Sequence, residues 1–385
     1  MGGVSVSPGG RDSVLIEVEI ARPFLRDGID VYVRGDEEVH FVFLATRKRI
    51  TARVRPFLIQ SLAWLDGQNV VDNLAERMAR NHGEEARTQF LGFLRYLQLK
   101  GIIIEPDWLA RTGLDDDTLE VQQRQVAFLL DVLGSPERAV GVQRKISQAR
   151  LVCFGVGAVG SWLLRQLVGL GFRRFVIVDH DRIEAADVSR HAFFDFTDAN
   201  TAAHKATVVA ERLRTQFRAV EVTAKTEPLT TATVIETLVP ADTDFVINAA
   251  DEPYIGYTSV LLSRFCVSRR IPLLVVGGFN AHLGSLSELI IPGVTPCSDC
   301  YADYFQEALK EWIPIEHPVA ERGDAAGGLS SLAAFAAGSA AMKVLGYFTG
   351  DGELEGGRGE LLFDDYRLEA FKVERRPDCP ICSSL

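Results

Sequence analysis

Short runs of alternating apolar and polar residues fill the first part of the chain, as expected of strands that bury one face. These runs predict three strands, at residues 28–33, 40–46 and 50–54. Apolar positions then recur at helical spacing, which predicts helices at 56–65, 70–80 and 84–100. Gly67 and Gly101 follow the first and third helices as stops. The order of elements predicts a small winged-helix-like α+β domain over residues 1–110.

A different pattern begins after the polar stretch at 111–117 and a helical run at 119–133. Continuous apolar runs predict strands at 151–154, 174–178, 220–224, 245–248 and 273–276. Helical patterns between them cover residues 162–170 and 203–217. Strands that are apolar throughout and alternate with helices are typical of a doubly wound parallel sheet. We therefore predict a Rossmann-like α/β domain over residues 118–385.

An apolar run rich in small residues, 327–346, is interrupted by Gly and Ser, which favours a tightly packed buried helix. No uninterrupted apolar stretch approaches the roughly 20 residues that span a bilayer, and the first residues lack the apolar core of a secretory signal. We expect a cytoplasmic protein with no membrane partner. The formal net charge of −11 lacks the basic footprint of a general nucleic-acid binder, so we expect no nucleic-acid partner.

Four of the six cysteines form two CxxC pairs, Cys297 with Cys300 and Cys379 with Cys382. This spacing lets one tight turn present two thiolates to a tetrahedral metal, and two such pairs complete a structural Zn²⁺ site. A redox CxxC or two unrelated thiol pairs are the alternatives. The other two cysteines, Cys153 and Cys266, lie in apolar runs and are predicted to be core residues.

The first strand of the α/β domain runs directly into the glycine-rich sequence Gly155-Val156-Gly157-Ala158-Val159-Gly160, which precedes an apolar helix. Gly155 and Gly157 permit a tight turn and the close approach of a phosphate chain to the helix N-terminus. Asp179 ends the next strand, where a carboxylate can bind ribose hydroxyls. Taken alone, this combination most often indicates NAD or FAD.

The residues after Asp179 favour a triphosphate instead. Further charged residues follow in order, at Asp181, Asp187, Arg190, Lys205 and, after a predicted strand, Asp251. Cations neutralise phosphate charge and a carboxylate can hold Mg²⁺, whereas hydride transfer requires neither. The alternative is that Arg190 and Lys205 are ordinary surface charges, and their sequence context disfavours it. We therefore predict ATP and Mg²⁺ as cofactors.

This ordered combination resembles the ThiF/MoeB/HesA family of adenylating enzymes, related to ubiquitin-activating enzymes, over about residues 119–382. The resemblance implies that Asp179 binds ribose, that Arg190 and Lys205 bind phosphates and that Asp251 holds Mg²⁺. The residues expected to contact the nucleotide are Gly155, Gly157, Gly160, Asp179, Asp181 and Asp187. The family also places a zinc ion on the two CxxC pairs.

The resemblance also implies a homodimer. Arg124, within Gln122-Gln123-Arg124-Gln125, is similar to the family's Tyr-x-Arg-Gln, whose arginine reaches the γ-phosphate of ATP bound to the partner subunit. The sequence departs from the family at three positions. Asp187 replaces the family's Asn, His191 replaces its Gln, and Ser189 also differs from the usual residue. An acid at 187 would repel phosphate unless it binds ribose or metal.

The N-terminal part resembles the PqqD-like peptide-recognition domains, which bind a leader peptide as an added strand. The two halves together resemble the peptide-modifying branch of the family, of the microcin C and pantocin type. This implies ATP-dependent adenylation or phosphorylation of a carboxylate or amide in a ribosomal precursor peptide. The segment 301–328 would line the peptide channel, and any of its polar residues could act in later steps, namely Glu316, His317, Glu321, Arg322 and Asp324.

Two other functions stay open. The chain could be an adenylyltransferase for a ubiquitin-like sulfur-carrier protein, which would not need the N-terminal domain. It could also be a non-catalytic scaffold that presents a leader peptide to a partner cyclodehydratase. No cysteine lies between Cys300 and Cys379, so a thioester step is not expected.

Overall fold

The structure is a computed structural model that describes residues 18–276, 284–308, 310, 328–350 and 357–383. The chain forms two units, one ending at Gln143 and the other beginning at Arg144. The strands of the first unit are β1 (Phe24–Leu25), β2 (Ile29–Arg34), β3 (Glu38–Phe43), β4 (Arg49–Arg53) and β5 (Ile103–Ile104). Its helices are α1 (Pro56–Ser61), followed by a 3₁₀ turn (Leu62–Trp64), α2 (Val71–His82), α3 (Glu84–Leu99), α4 (Asp116–Leu133) and α5 (Pro136–Gln148), whose last turn crosses the boundary.

The first unit is built around an antiparallel sheet of β2, β3 and β4, with β3 in the middle. Alternate residues of β3, Val39, Phe41 and Phe43, are buried, as the period of two requires. Met78 of α2 and Phe90 of α3 are fully buried in the same core. The predicted three strands and three helices are therefore all present, with bounds shifted by a few residues.

The second unit contains the remaining elements. Its strands are β6 (Arg150–Phe154), β7 (Arg174–Val178), β8 (Glu221–Lys225), β9 (Phe245–Asn248), β10 (Leu273–Val275), β11 (Gly284–Leu286), β12 (Glu288–Ile290), β13 (Gly357–Leu361) and β14 (Leu368–Lys372). Its helices are α6 (Ala158–Gly169), α7 (Ala185–Val188), α8 (Phe196–Asn200), α9 (Lys205–Gln216), α10 (Ile235–Leu238), α11 (Ile255–Arg269), α12 (Ser298–Ala308) and α13 (Ser330–Thr349).

Six of these strands form the central sheet, in the order β12-β10-β9-β6-β7-β8. Strands β7 and β8 extend to one side of β6, and β9 and β10 extend to the other, all parallel to β6, whereas the edge strand β12 is antiparallel to β10. The strand order therefore reverses at β6, and open α/β sheets bind ligands at the carboxyl ends of the strands at such a point. The predicted α/β class and doubly wound sheet are confirmed.

A second sheet, β11-β13-β14, was not predicted from the sequence. Strand β13 has the sequence Gly-Arg-Gly-Glu-Leu, which lacks the apolar alternation of a buried strand. The structure buries Arg358 of this strand beside Glu288 of β12, with Nη1 2.9 Å from Oε1. A buried ion pair takes the place of apolar packing here, and hydrophobic periodicity cannot detect it.

Helix α4 was predicted to open the second domain, but it packs in the first unit, which ends at Gln143. The predicted domain ranges, 1–110 and 118–385, therefore stay a prediction.

Helix α13 is long and apolar enough to cross a membrane, judged by length and composition alone. In the structure it packs against α6 and buries the small residues Ala336, Ala337 and Ala340. Small side chains allow the close approach of two helices, so we interpret α13 as the packed helix that the sequence predicted over 327–346.

We expect Gly160→Ala to lower the melting temperature, because a Cβ at this position would collide with the carbonyl oxygen of Gly155. Overpacking of this kind costs roughly 1–3 kcal/mol. Gly169→Ala, in the same helix, is the matched control, since a Cβ there meets no atom within 4 Å. The control should be neutral or more stable by up to about 1 kcal/mol. Thermal unfolding of both variants measures the difference, and equal melting temperatures would contradict the packing described.

Candidate nucleotide-binding site

The glycine-rich turn connects β6 to α6 at the point where the strand order reverses. Gly155 has a φ of +82°, and a Cβ on it would collide with the backbone of Ala249 and Ala250, which follow β9. Its N–H donates to the carbonyl oxygen of Val178 at 2.9 Å. Gly157 is the N-cap of α6, so the first backbone N–H groups of that helix point towards the glycine turn.

Asp179 follows β7, and its carboxylate binds the backbone of the glycine turn. Its Oδ2 accepts a hydrogen bond from the Val156 N–H at 2.7 Å, and its Oδ1 accepts one from the Asp181 N–H at 2.9 Å. Burial raises the pKa of Asp179 above its usual range, although these two bonds act in the opposite direction. Each oxygen keeps a second lone pair with which to accept a hydroxyl.

The two predicted phosphate-binding cations lie beside two predicted carboxylates. Lys205 begins α9, and its Nζ lies 3.1 Å from Asp181 Oδ2 and 3.5 Å from Asp187 Oδ2. Arg190 Nη2 lies 3.1 Å from Asp187 Oδ1. Asp187 therefore bridges the two cations.

The electrostatics of this cluster keep both kinds of group charged. Burial alone would lower the pKa of Lys205, but the hydrogen bond and charge of Asp181, with the charge of Asp187, raise it overall. Burial acts to raise the pKa of Asp187, and the Glu184 N–H bond with the charges of Lys205 and Arg190 lower it overall. The departure from the family's Asn at 187 therefore creates a counter-ion for the two cations.

These residues surround a cavity of about 1190 Å³ in the second unit. All of the predicted nucleotide-site residues of this unit line it, namely Gly155, Gly157, Gly160, Asp179, Asp181, Asp187, Arg190, Lys205 and Asp251. Asp251 is exposed at the turn after β9. The Nε of Arg190 is buried without a hydrogen-bond partner among the described residues.

Arg124 lies on α4 in the first unit, where it is exposed, and it does not line the cavity. Among the lining segments not predicted from the sequence are 227–230 after β8 and 328–333 at the start of α13. The first could have been found, because it follows the carboxyl end of a predicted parallel strand. The second could not, because its place depends on tertiary packing. Glu316, His317, Glu321, Arg322 and Asp324 lie outside the described residues.

The four predicted metal ligands converge in a separate cluster. Cys297 and Cys379 have Sγ atoms 3.6 Å apart, as do Cys300 and Cys382, and Cys297 and Cys300 lie 3.9 Å apart. Four thiolates bound to zinc at about 2.3 Å would be roughly 3.8 Å from one another, so the cluster fits a tetrahedral zinc ion.

The two remaining cysteines, Cys153 and Cys266, are fully buried core residues, as predicted. Burial raises the pKa of the Cys153 thiol to about 12 and that of Cys266 further. Both are therefore neutral, apolar side chains at physiological pH.

The chain belongs to the ThiF family, whose model matches residues 123–381. The matched part of the chain is therefore of the ATP-dependent adenylating type. A curated relative, the sulfur carrier protein ThiS adenylyltransferase of Bacillus subtilis, is 29% identical over 163 residues. That match covers 42% of this chain and 46% of the relative, less than half of either protein.

Two solved structures share the fold over nearly the whole chain. E. coli MccB with AMPCPP and MccA has a TM-score of 0.67 and 17% identity, covering 94% of this chain and 99% of that one. PaaA has a TM-score of 0.69 and 16% identity, covering 91% and 100%. The predicted family is confirmed. The PqqD-like likeness of the N-terminal part stays a prediction.

We expect the purified chain to carry one zinc ion, and Cys379→Ser to lose it together with much of the thermal stability. Structural zinc contributes directly to folding, and the three thiolates that remain after the substitution would bind zinc more weakly than four. Cys266→Ala is the control, since this thiol lies outside the cluster. Elemental analysis and thermal unfolding give the two readouts. Full zinc content in Cys379→Ser would contradict the assignment.

Proposed function

We propose that the chain is an enzyme that uses ATP to activate a carboxylate or amide of a ribosomally made precursor peptide. The observation that carries this proposal is the cavity in which the glycine turn, two cations and Asp251 meet. Its volume exceeds the roughly 300–1,000 Å³ of a typical small-molecule pocket, which leaves room for a second substrate beside a nucleotide.

The roles of the site residues follow from their positions. Free amides at the start of α6 would bind phosphate oxygens, with Arg190 and Lys205 supplying positive charge. Asp179 would accept a ribose hydroxyl. A substrate oxygen then attacks the α-phosphorus, a new P–O bond forms, and the bond to the bridging oxygen breaks as pyrophosphate leaves with the electron pair. No enzyme side chain forms a covalent bond in this step, so positioning and charge supply the catalysis.

The charge of the cavity supports a requirement for Mg²⁺. Among the described lining residues, seven carboxylates face three cationic side chains, Arg182, Arg190 and Lys205. A bare triphosphate would be repelled by this excess of negative charge. His180, Asp181 and Glu252 lie close enough together to share a cation, and Asp251, next to Glu252 in sequence, lines the same cavity, so carboxylate oxygens of the kind that suit Mg²⁺ are present. A bound Mg²⁺ would neutralise phosphate charge.

The first unit supports the binding of a leader peptide as an added strand. Hydrogen bonds from Phe43 N–H to Lys48 O and from Val54 N–H to Glu37 O fix the pairing of β3 with β4. Backbone groups alternate in direction along an antiparallel strand. The groups of Arg49, Thr51 and Arg53 therefore point outwards, along an edge that is unpaired among the described residues.

The side chains of β4 indicate which peptide residues would fit beside this strand. Ile50 and Ala52 are only partly buried, so an added strand could cover them with apolar residues at alternate positions. Arg49 and Arg53 are exposed, which favours acidic residues at the positions between.

Helix α4 supports the proposed homodimer. Val121, Phe128 and Val132 are exposed large apolar residues on one face of this helix. Arg124 lies on that face, three residues after Val121 and four before Phe128. If a partner subunit covered this face, Arg124 would lie at the interface and contact that subunit, as the family resemblance implies.

The solved MccB structures support the choice of a peptide substrate. One holds ATP, and another holds AMPCPP together with the precursor peptide MccA. The relative from Bacillus subtilis instead favours a sulfur-carrier protein as substrate. A leader-presenting scaffold is the third candidate, and the complete set of phosphate-site residues disfavours it.

We expect wild-type protein to bind MgATP in a calorimetric titration, and Asp251→Asn and Lys205→Ala each to weaken binding about tenfold or more. Glu236→Gln is the control, because its ion pair with Arg269 is more than half exposed. With a precursor peptide, release of AMP and pyrophosphate indicates adenylation, and release of ADP and phosphate indicates phosphorylation. A folded, zinc-loaded protein that binds no nucleotide, with or without peptide, would favour the scaffold.

We expect Thr51→Pro to prevent binding of the precursor peptide, since proline removes an outward N–H of β4 without breaking the pairing with β3. Val33→Pro, which removes the corresponding outward N–H of β2, is the matched control and should bind normally. Candidate peptides encoded beside the gene can be tested by fluorescence anisotropy. Equal affinity in both variants would exclude the β4 edge.

A further inference from the structure

His191 contacts the glycine turn through a hydrogen bond to the backbone of Val156. This residue is 8% exposed, and its Nε2 lies 2.6 Å from the carbonyl oxygen of Val156. Its ring stacks on Phe194 with 3.4 Å between centroids and 7° between planes. The ring is therefore fixed in position and in plane.

The hydrogen bonds identify the tautomer of this histidine. Phe193 N–H donates to Nδ1 at 3.2 Å, so Nδ1 carries no proton. The proton of the neutral ring then lies on Nε2, which donates it to Val156 O. Burial lowers the pKa of His191 to about 4, so the ring stays neutral across the physiological range.

Val156 is thereby held at both of its backbone groups. Asp179 accepts its N–H at 2.7 Å, and His191 donates to its carbonyl. In a trans peptide the C=O and the following N–H point in opposite directions. With the Val156 carbonyl directed at the buried His191, the N–H of Gly157 points away from it. Gly157 lines the cavity, and its N–H has no acceptor among the described residues.

The same segment also holds the phosphate-binding arginine. Trp162 Nε1–H donates to Arg190 O at 3.1 Å, and Ala192 N–H donates to Ser161 Oγ at 3.2 Å. Residues 190–192 are thus tied to the first turns of α6.

We propose that His191 is a positioning residue for the nucleotide phosphates, acting through the Val156–Gly157 peptide, whose N–H it directs into the cavity. This inference rests on the proposed binding of ATP. It also explains how a histidine can replace the family's glutamine, because both side chains can present an N–H donor at this reach.

The test compares MgATP with adenosine, which has no phosphate, in calorimetric titrations of the full chain. His191→Leu should weaken MgATP binding about tenfold, the effect of one lost hydrogen bond, and leave adenosine binding unchanged. His191→Gln should restore MgATP affinity to within about twofold of wild type. His191→Asn, too short to reach Val156 O, should behave like the leucine variant.

If His191→Leu lost affinity for MgATP and for adenosine equally, the proposal would be overturned in favour of a purely structural role for His191. If it lost affinity for neither, His191 would have no role in nucleotide binding. If the variants do not fold, ¹⁵N NMR of the wild type decides, since a proton on Nδ1 would overturn the assignment. Failure of the wild type to bind MgATP would count against the proposed function itself, whereas normal wild-type binding with unaffected variants would count only against this inference.

Discussion

The whole site depends on the close packing of the turn after β6 against the end of β9. Gly155 lies against the backbone of Ala249 and Ala250, and Gly160 lies against the carbonyl of Gly155, so neither position has space for a Cβ. This packing places the start of α6 beside the segment that carries Asp251. Because β6 is also the strand at which the order reverses, the turn opens into the one region of such a sheet where neighbouring connections diverge and leave a crevice.

A second constraint is electrostatic. The side chain of Lys205 is only 11% exposed, and burial of an unpaired ammonium costs several kcal/mol. Asp181 and Asp187 offset this cost by pairing with it. The acid at 187 therefore stabilises the cations in the absence of a nucleotide, rather than simply opposing phosphate. In the proposed complex with ATP, phosphate oxygens would share Lys205 and Arg190 with these carboxylates, which would reduce the net gain from each contact and give more weight to neutral donors such as the Gly157 N–H.

The sequence predicted those parts of the fold that depend on apolar periodicity and on glycine geometry. The parallel strands and the glycine turn fall in these classes, whereas Asp179 and the two CxxC pairs were predicted from residue type and position, and the structure brings the four cysteines together. The role of Asp187 could not be predicted, because its partners Lys205 and Arg190 meet it only through tertiary folding. For the same reason the contact of His191, which departs from the family's glutamine, with the carbonyl oxygen of Val156 could not be predicted. Strand β13 was missed because Arg358 and Glu288 are buried as a pair.

The cysteine cluster connects distant parts of the second unit to this site. Cys297 and Cys300 lie at the start of α12, whereas Cys379 and Cys382 follow β14, 82 residues further along the chain in each pairing. Helix α13 lies between them in sequence, and its first turn lines the cavity through Leu332 and Ala333. A zinc ion on the four thiolates would close a loop that contains this helix. Helix α13 also packs against α6, the helix that follows the glycine turn, so the segment between the two CxxC pairs and the candidate nucleotide site share this helix.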